Sequence, residues 1–455
     1  MKFPILCLAI CTGLLLNVPA PATETTRKPN ILVIIADDMG YADAGFQGCK
    51  DIPTPHLDSL ARDGVRCTHG YVTGPYCSPT RAALLTGRAQ TRFGHEFNPS
   101  GPRNGLPTTE STLADRLKAS GYRTALIGKW HLGNAPEFHP LKRGFDEFFG
   151  FLGGAHSYTS ADGIFRGTAP VSEITYTTDA FAREAESFID RHAAQPWFLC
   201  LSFNAVHTPM HATDERLQRF AGISDPQRRT YAAMLSAMDD AIGAGRARLA
   251  AKDSTSHTRI AFFSDNGGPV MRGVTVNGSS NAPLRGSKRT TLEGGVRVPF
   301  IITWPSHLKP AVYPEPVVQT DVHATALAAA AISTDPNWKL EGTNLLPHLT
   351  SQQATPPHAA LFWRFGQQMA VRSGPWKLVR YDTTADGLAA GISTPKLYNL
   401  ADDQSESKDL AAAHPEKVRE LQSLWDHWNK DNAKPLWGSD HPAPGGKGQN
   451  RRRNP

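Results

Sequence analysis

Residues 77–81, CSPTR, put a cysteine at the start of a predicted helix. Proline is favoured in the first helical turn and glycine just after the last, so Pro79 and Gly87 indicate where this helix begins and ends. The first backbone N–H groups of a helix have no partner inside it and attract negatively charged groups. Cys77 is therefore a candidate nucleophile for an anionic substrate, and the alternative interpretation is a buried, inert thiol.

Oxygen-bearing side chains follow two apolar runs of strand length. Asp37 and Asp38 follow the first run, and Asp265 and Asn266 follow the second. Oxygen ligands suit a hard cation such as Ca²⁺, with Mg²⁺ as the alternative. The same residue types also form ordinary surface turns, which is the competing interpretation. Because ligands bind beyond the carboxyl ends of strands in open α/β sheets, we expect the four residues to converge on one cleft.

Basic side chains occupy equivalent positions after two further apolar runs. Lys129 and His131 flank Trp130, and alternation along an extended chain would direct both to one side. His207 follows another run and precedes Pro209. Each of these side chains alone would fit a solvated loop, but together at strand ends they favour a cleft that binds a ligand.

Strand-length apolar runs alternate with helical patterns over most of the chain. The clearest predicted strands are residues 31–36, 124–127, 198–203 and 260–263, and predicted helices cover residues 54–64, 111–121 and 178–194. At the ends of the first of these helices, Thr54 is the expected N-cap and Gly64 the expected C′ residue. This alternation is typical of an α/β fold with helices on both faces of a large, mostly parallel sheet.

The pattern changes near residue 355, after a polar, proline-bearing link. Short alternating runs at residues 361–365, 369–372, 377–381 and 396–400 precede a helical pattern at 415–429. They predict a small antiparallel sheet with one packed helix. We therefore expect a large α/β domain at residues 23–354 and a C-terminal α+β subdomain at residues 355–437.

Both ends of the chain carry segments that do not belong to this fold. Residues 1–22 combine a lysine, a short apolar run and small residues around Ala20 and Ala22, the pattern of a secretory signal peptide. The apolar run is too short to span a bilayer, so we expect an exported protein, periplasmic or secreted, without membrane insertion. Residues 438–455 predict a disordered basic tail, which contributes to the net charge of +6 and does not indicate nucleic-acid binding.

Four cysteines remain after the predicted signal peptide. With Cys77 set aside, Cys49, Cys67 and Cys200 are an odd number and too few for a fold built on disulfides. A Cys49–Cys67 pair is one option, and the sequence leaves the pairing open.

Residues 77–88 resemble the signature of the type I sulfatases, in which the cysteine is oxidised to formylglycine after translation. Further segments resemble the same family in family order, and the resemblance extends to arylsulfatases and N-acetylgalactosamine-6-sulfatase-like enzymes. These segments are residues 31–39, 128–133, 264–268 and 286–299. The resemblance covers about residues 29–430 and implies an alkaline-phosphatase-like α/β/α sandwich. Thr80 replaces the serine of many members and keeps the hydroxyl.

This resemblance implies hydrolysis of a sulfate monoester, with a carbohydrate as the expected alcohol, through formylglycine at position 77. The implied metal is Ca²⁺, held by Asp37, Asp38, Asp265, Asn266 and the oxygen at position 77. The resemblance implies that Arg81 binds that oxygen or a substrate oxygen and that Lys129 binds the sulfate. It also implies that His131 acts as the base and that His207 and Lys288 bind the oxygen of the leaving group. A formylglycine-generating maturation enzyme is the implied partner.

Two other functions remain open at this stage. One is a phosphomonoester or phosphonate hydrolase of the same superfamily, and the other is a protein that binds sulfated glycans without cleaving them. The substrate subsite has four candidate residues, which are His156, His211, Arg272 and Arg285. The sugar, the sulfated hydroxyl, exo or endo action and the oligomeric state depend on loops that these motifs do not cover.

Overall fold

A computed structural model describes residues 27–271 and 274–438. The predicted signal peptide and residues 439–455 of the predicted tail lie outside the described residues. The strands are β1 Asn30–Ala36, β2 Val65–Cys67, β3 Gly70–Tyr71, β4 Arg123–Lys129, β5 Glu147–Phe151, β6 Phe165–Arg166, β7 Ala169–Pro170, β8 Trp197–Ser202, β9 Thr258–Ser264, β10 Phe300–Thr303, β11 Ala311–Tyr313, β12 Val317–Val318, β13 Leu361–Phe365, β14 Gln368–Ser373, β15 Trp376–Arg380 and β16 Lys396–Asn399.

Helices cover both faces of the main sheet and one face of the C-terminal sheet. They are α1 Pro55–Asp63, α2 Cys77–Thr86, α3 Leu113–Ala119, α4 Thr177–Arg191, α5 Asp214–Arg219, α6 Pro226–Ala251, α7 Glu293–Val296, α8 Gln319–Ala329, α9 Leu346–Leu349 and α10 Pro415–Asn429. Within the described residues, no helix combines the length and the apolar composition that crossing a membrane requires.

Ten strands form one sheet in the order β11-β2-β10-β9-β1-β8-β4-β5-β6-β7. The five central strands, from β9 to β5, run parallel, and β10 and β6 add antiparallel neighbours on either side. In the central register, Ile34 of β1 lies between Leu201 of β8 and Phe262 of β9. The predicted mostly parallel α/β fold is confirmed. The edge strands were not predicted, because runs of two to four residues carry too little pattern.

Alternate residues of the central strands pack into two separate cores. Leu32 and Ile34 of β1 belong to the core that α1, α4 and α6 cover. Val33, which lies between them in sequence, packs with residues of α2, α3 and α8 on the other face of the sheet. The domain is therefore a three-layer α/β/α sandwich, as the resemblance implied.

The C-terminal sheet has the order β13-β14-β15-β16, with every neighbouring pair antiparallel. One face packs on α10 through Leu421 and Trp425. The other face packs through Trp363 on residues of the large domain such as Val318. The predicted small antiparallel sheet and its single helix are confirmed, because these alternating runs are long enough to specify strands.

Helix α1 has Thr54 at its N-cap position and Gly64 just after its last residue, as predicted, but neither residue makes the expected capping interaction. Thr54 makes no capping bond and instead donates to Asp58 Oδ1 at 3.0 Å. Asp239 of α6 accepts the free N–H groups of the first turn at 3.1 and 2.8 Å. Gly64 has a φ of −127° and is extended rather than left-handed. A carboxylate from a distant helix has replaced the local cap, which no local sequence pattern reveals.

The four described cysteines are all free thiols. Cys67 and Cys200 are buried, whereas Cys49 is partly exposed. Among the described residues, the Cys49–Cys67 pair that the sequence left open is therefore not formed.

Candidate active site

The predicted site residues lie at one edge of the main sheet. The strands that carry them are parallel, so their carboxyl ends face the same way. Asp37 and Asp38 follow β1, Lys129 ends β4, His131 lies two residues beyond it, His207 lies in the loop after β8, and Asp265 and Asn266 follow β9. Ligand sites of open α/β sheets lie at this edge.

Three buried carboxylates form the base of the site, and none of them is more than 2% exposed. The N–H of Asp38 donates to Asp265 Oδ1 at 3.2 Å, and Asn266 Nδ2 donates to Asp38 Oδ1 at 2.7 Å. The third carboxylate belongs to Asp37. Asp38 has a φ of 62°, and this left-handed conformation turns the chain at the end of β1. Buried carboxylates require compensating charges.

The charges around these carboxylates are distributed unevenly. Burial disfavours the charged form of Asp37, but neighbouring cations, with Lys129 the strongest, outweigh burial and lower the pKa of that carboxyl. Burial and the charge of Asp37 raise the pKa of Asp265, although Arg81 acts in the opposite direction. A divalent cation at this point would relieve the repulsion between the carboxylates.

The arrangement fits a hard divalent cation. Ligand atoms of Asp37, Asp38, Cys77 and His207 all lie within 4.8 Å of one another. Oδ1 of Asn266 is buried and has no hydrogen-bond partner in the described part of the chain. A bound Ca²⁺ or Mg²⁺ would give this oxygen a partner and offset the carboxylates. His207 is the one member of this cluster that was not predicted as a metal ligand.

Cys77 is the first residue of α2, as predicted, and the helix ends at Gly87 in the expected left-handed conformation, with a φ of 73°. The side chain is fully buried, and Sγ lies 3.6 Å from Asp37 Oδ1. Burial raises the pKa of the Cys77 thiol, so the thiol is uncharged at neutral pH. Since the thiolate is the nucleophilic form, the unmodified side chain is a poor nucleophile here.

Arg81 lies one helical turn after Cys77 and faces the carboxylates. Its Nε and Nη2 donate to Asp265 Oδ2 at 3.1 and 2.8 Å, and its Nη1 donates to the hydroxyl of Ser202. The guanidinium is 3.8 Å from Asp37 Oδ2. Arg81 is thus held by groups at the ends of three different strands, and it fixes the start of α2 relative to the edge of the sheet.

Lys129 and His131 both border the site, but they do not reach it in the predicted way. Lys129 Nζ donates to Asp37 Oδ2 at 2.5 Å. His131 has a φ of 58°, so the chain turns there and the predicted alternation along an extended strand is wrong. Burial, followed by the charge of Lys129, lowers the pKa of His131 well below its usual range, so its imidazole is neutral. A neutral imidazole can accept a proton.

Lys288 and His207 approach the same carboxylate, that of Asp38. Lys288 Nζ lies 2.7 and 2.8 Å from the two oxygens of Asp38, and His207 Nε2 lies 3.5 Å from Oδ2. His207 Nδ1 donates to the carbonyl of Thr208 at 2.5 Å, which leaves Nε2 facing the site. Burial lowers the pKa of His207. Burial also opposes the charge of Lys288, but Asp38 outweighs it and raises the pKa of that lysine well above its usual range.

A pocket of about 310 Å³ opens next to these groups. Its polar lining includes Tyr76, Asn98, His131, His207, Lys288 and Arg289. Among the described residues, no aspartate or glutamate lines it. The volume is at the low end of the range for small-molecule sites, which is roughly 300–1,000 Å³. The pocket therefore suits a small ligand with a negative charge.

A polar network that was not predicted from the sequence holds His131. Ser78 Oγ donates to the carbonyl of His131 at 2.6 Å and lies 2.6 Å from His95 Nε2. The N–H of Ser78 donates to Asn98 Oδ1 at 3.1 Å. Burial lowers the pKa of His95 to about 3, so this imidazole is neutral. Ser78 lies inside the CSPTR motif and could have been found, but no pattern in the sequence points to His95 or Asn98.

Three of the four candidates for the substrate subsite, His156, His211 and Arg285, do not line this pocket. His156 bonds through its ring to backbone carbonyls of its own loop, and His211 Nδ1 lies 3.3 Å from the hydroxyl of Ser157. Arg285 pairs with Asp386 at 2.8 Å in the C-terminal subdomain. Arg272 lies outside the described residues. Contacts within loops and between domains hold the first three side chains elsewhere.

Comparisons with known proteins place the chain among enzymes that act on sulfate esters. The N-acetylgalactosamine-6-sulfatase of Sus scrofa is 33% identical over 78% of this chain and 72% of that protein. Arylsulfatase A of Bos taurus is 34% identical over 86% of this chain and 85% of that protein. The crystal structure of Ps i-CgsB in complex with k-i-k-neocarrahexaose has a TM-score of 0.84 and 35% identity, covering 90% of this chain and 95% of that one.

The family model described as Sulfatase matches residues 29–332, which include every predicted catalytic and metal-binding residue. The match covers well over half of the chain, and the two relatives named above cover 78% and 86% of it. The chain therefore belongs to the sulfatase family and is a sulfuric ester hydrolase.

Proposed function

We propose that this enzyme hydrolyses a sulfate monoester of a carbohydrate, using formylglycine at position 77 and one bound Ca²⁺. One observation carries the proposal. Distant segments of the chain bring buried oxygen ligands, a buried cysteine and basic side chains together next to a pocket. Among the described residues, no carboxylate lines this pocket. A relative of this chain supports the carbohydrate as substrate class, because its name, N-acetylgalactosamine-6-sulfatase, specifies a sulfated sugar.

Two groups that the amino-acid sequence does not contain would complete the site. Ca²⁺, held by Asp37, Asp38, Asp265 and Asn266, would polarise a sulfate oxygen and stabilise negative charge at position 77. The hydrated aldehyde of formylglycine would supply one hydroxyl to attack sulfur and a second to release sulfate. We propose that a formylglycine-generating or equivalent maturation enzyme oxidises Cys77, and that the protein is exported to the periplasm or the exterior.

The remaining roles belong to side chains of the chain itself. Lys129 and Arg81 bind and orient anionic oxygens, since both lie against Asp37 at the base of the site. Such oriented cations stabilise charge as the ester S–O bond breaks. His131 is neutral and accepts a proton from the second hydroxyl when sulfate is released.

Departure of the alcohol requires a proton on its oxygen. His207 Nε2 and Lys288 Nζ both approach the carboxylate of Asp38, and both residues border the pocket, so we propose that they bind this bridging oxygen. One of the two delivers the proton as the alcohol leaves. Over the full cycle one water is consumed, and the products are the free alcohol and hydrogen sulfate.

The test combines the mass of a peptide with a product assay. In native material we expect the mass of the peptide containing residue 77 to be that of formylglycine, and we expect sulfate release from sulfated mono- or disaccharides. Cys77→Ala should abolish release, because loss of a nucleophile elsewhere costs about 10⁶-fold in kcat. Cys200→Ala is the matched control, since Cys200 is also buried but lies within β8.

Other outcomes would replace the proposal. Full activity with an unmodified thiol would rule out formylglycine as the nucleophile. Faster turnover of phosphate than of sulfate esters would favour a phosphomonoester or phosphonate hydrolase. Binding of sulfated oligosaccharides without any product would favour a glycan-binding protein. The described residues contain one metal-ligating cluster, which agrees with a single-ion site.

A further inference from the structure

Asn98 lines the pocket and also caps the helix that carries the proposed nucleophile. Tyr76 occupies the N-cap position of α2, but its side chain makes no capping bond. Asn98 Oδ1 instead accepts the N–H of Ser78 at 3.1 Å, one peptide bond beyond Cys77. A side chain from another segment thus supplies the acceptor that the start of a helix requires.

This hydrogen bond fixes the orientation of the Asn98 amide. A backbone N–H can only donate, so the amide oxygen has to be the atom next to Ser78, and the NH₂ group occupies the other branch. Within the described part of the chain, Nδ2 has no hydrogen-bond partner and is not among the enclosed polar atoms. Asn98 is partly exposed and lines the pocket. Its two N–H donors are therefore available to a ligand in the pocket.

Ser78 also connects Asn98 to the proposed base. Ser78 Oγ donates to the carbonyl of His131 at 2.6 Å, while the N–H of the same residue donates to Asn98. Asn98 and His131 both line the pocket, and Cys77 directly precedes the serine that joins them. The amide donor therefore borders the space that a substrate has to occupy when position 77 attacks it.

The C-terminal subdomain holds the segment that carries Asn98. Glu96 is 1% exposed, and its Oε2 accepts Nη2 of Arg364 in β13 at 2.7 Å. The carbonyl of Phe97 accepts Nε1 of Trp437 at 3.0 Å. Both residues before Asn98 are thus bonded to the subdomain or to the chain that follows its helix. A donor held in place in this way loses little conformational entropy when it binds a ligand.

We propose that Asn98 is a substrate-binding residue whose Nδ2 donates a hydrogen bond to an oxygen of the bound sugar sulfate. The oxygen belongs either to the sulfate or to the sugar beside it, and the test distinguishes these two sources. A neutral donor suits this place, since Asp37, Asp38 and Asp265 already match the cations at the base of the site. This inference rests on the proposed function and deepens it.

Asn98→Asp separates the substrate contact from the helix cap. Aspartate has the same shape, and it caps a helix as well as asparagine does. Its second oxygen replaces the two N–H donors by a negatively charged acceptor, in a pocket that no described carboxylate lines. The melting temperature should therefore stay at the wild-type value or rise. In contrast, kcat/KM for a sugar sulfate should fall by at least about 100-fold.

Two further variants give the comparison. Asn98→Ala removes the cap and the donor together, so it should lower the melting temperature and reduce kcat/KM by about 10- to 100-fold. Asn104→Asp is the matched control, because Asn104 lies in the same segment before α3, donates to the carbonyl of Ser100 and does not line the pocket. It adds the same charge and should leave kcat/KM at the wild-type value.

A second substrate identifies the oxygen that Asn98 binds. Activated aryl sulfates contain the sulfate but lack the sugar. Equal losses of kcat/KM in Asn98→Ala on an aryl sulfate and on a sugar sulfate would assign the contact to a sulfate oxygen. A loss on the sugar sulfate alone would assign it to an oxygen of the sugar.

The outcomes distinguish this inference from the proposed function. No sulfate release by the wild-type enzyme from any sulfate ester would overturn the proposed function. Release by the wild type together with an unchanged kcat/KM in Asn98→Asp would overturn the role of Asn98 alone. A fall in kcat/KM that accompanies an equal loss of thermal stability in Asn98→Asp and Asn98→Ala would also overturn it, because a structural role would then explain both losses.

Discussion

Two buried clusters of charge are built from distant segments of this chain, and they differ in whether they border a pocket. The interdomain cluster consists of Glu293, Lys377, Glu406, Tyr71, Arg297 and Arg372. In it, Lys377 Nζ lies 2.9 Å from Glu293 Oε1 and 3.0 Å from Glu406 Oε1, and the hydroxyl of Tyr71 donates to Glu293 Oε2 at 2.7 Å. Both oxygens of Glu293 therefore have donors.

The active-site cluster is equally buried, and both clusters contain polar atoms without hydrogen bonds. Asn266 Oδ1 and His131 Nδ1 are buried without hydrogen-bond partners among the described residues. In the interdomain cluster, Glu406 Oε1 and Arg297 Nη1 also lack hydrogen bonds, although each is ion-paired, and Glu406 shares the left-handed backbone of Asp38 and His131. The active-site cluster borders a pocket, and no described residue that lines this pocket belongs to the interdomain cluster. The adjacent cavity, rather than buried charge or unpartnered atoms, therefore distinguishes the functional site from the interdomain contact.

The largest expected effect is a loss of protein stability when the central lysine of the interdomain cluster is replaced. Lys377→Met leaves Glu293 and Glu406 buried without their shared cation and should lower the free energy of unfolding by about 3–5 kcal/mol. The kcat of the folded enzyme should not change, because Lys377 lies outside the active site. Urea unfolding and kcat at a temperature where the variant is folded would measure both effects.

A neighbouring lysine gives the control for this prediction. Lys396 of β16 pairs with Asp409 at 3.1 Å, with its side chain 32% exposed. Lys396→Met should cost only about 0–1 kcal/mol, as expected for a partly exposed pair. An equal loss of stability in both variants would show that the interdomain cluster is not a special stabilising contact.

The second prediction tests the cations of the active-site cluster. His207→Ala and Lys288→Ala should each reduce kcat/KM for sugar sulfates by about 10²–10³-fold, because a poor leaving group needs both hydrogen bonding and a proton. Losses should be much smaller for activated aryl sulfates, whose alcohol leaves as a stable anion. Parallel assays on the two substrate classes measure the difference, and equal losses would contradict the leaving-group role.

The third prediction concerns the space around His131. A Cβ on residue 154 would lie 2.5 Å from Nε2 of His131, so Gly154→Ala should displace the imidazole. We expect kcat to fall by about 10- to 100-fold, the cost of misplacing a catalytic group by roughly 1 Å. Gly153→Ala is the matched control, since the nearest atom to its Cβ is 3.9 Å away. Similar kcat values in the two variants would argue against His131 as the base.

The smallest expected effect is a pH dependence of stability at a second contact between the domains, formed by His358 and Asp321. His358 Nε2 lies 2.9 Å from both oxygens of Asp321, and although burial opposes it, the charge of Asp321 raises the pKa of His358. This pair should stabilise the fold fully below the unfolded-state pKa of about 6.5, and the contribution should fall as pH rises through the folded-state pKa. His358→Gln should remove this part of the pH dependence in thermal unfolding. Identical profiles for the wild type and His358→Gln would refute it.

Much of the secondary structure followed from local pattern. The runs that became β1, β4, β8 and β9 are apolar over strand length, and the C-terminal runs alternate, so both were predicted within about two residues. The hydrogen bonding at the start of α1 was not predicted, because Asp239 reaches that helix from α6. The short edge strands were not predicted for a different reason: they are strands because of their pairing partners rather than their composition.

Residue types, order and spacing along the chain were sufficient to predict the α/β layers and to nominate Cys77, the oxygen ligands, Lys129, His131 and His207. The resemblance to the sulfatase family added Arg81 and Lys288. Their proximity is a property of the folded sheet, in which parallel strands from distant segments end at one edge. The folded chain also decided what no linear pattern encodes: the left-handed turns at Asp38, His131 and Arg289, and the bonds of His95 and Gln368 to residues far away in sequence. Burial and long-range contacts set these features, and both exist only once the chain is packed.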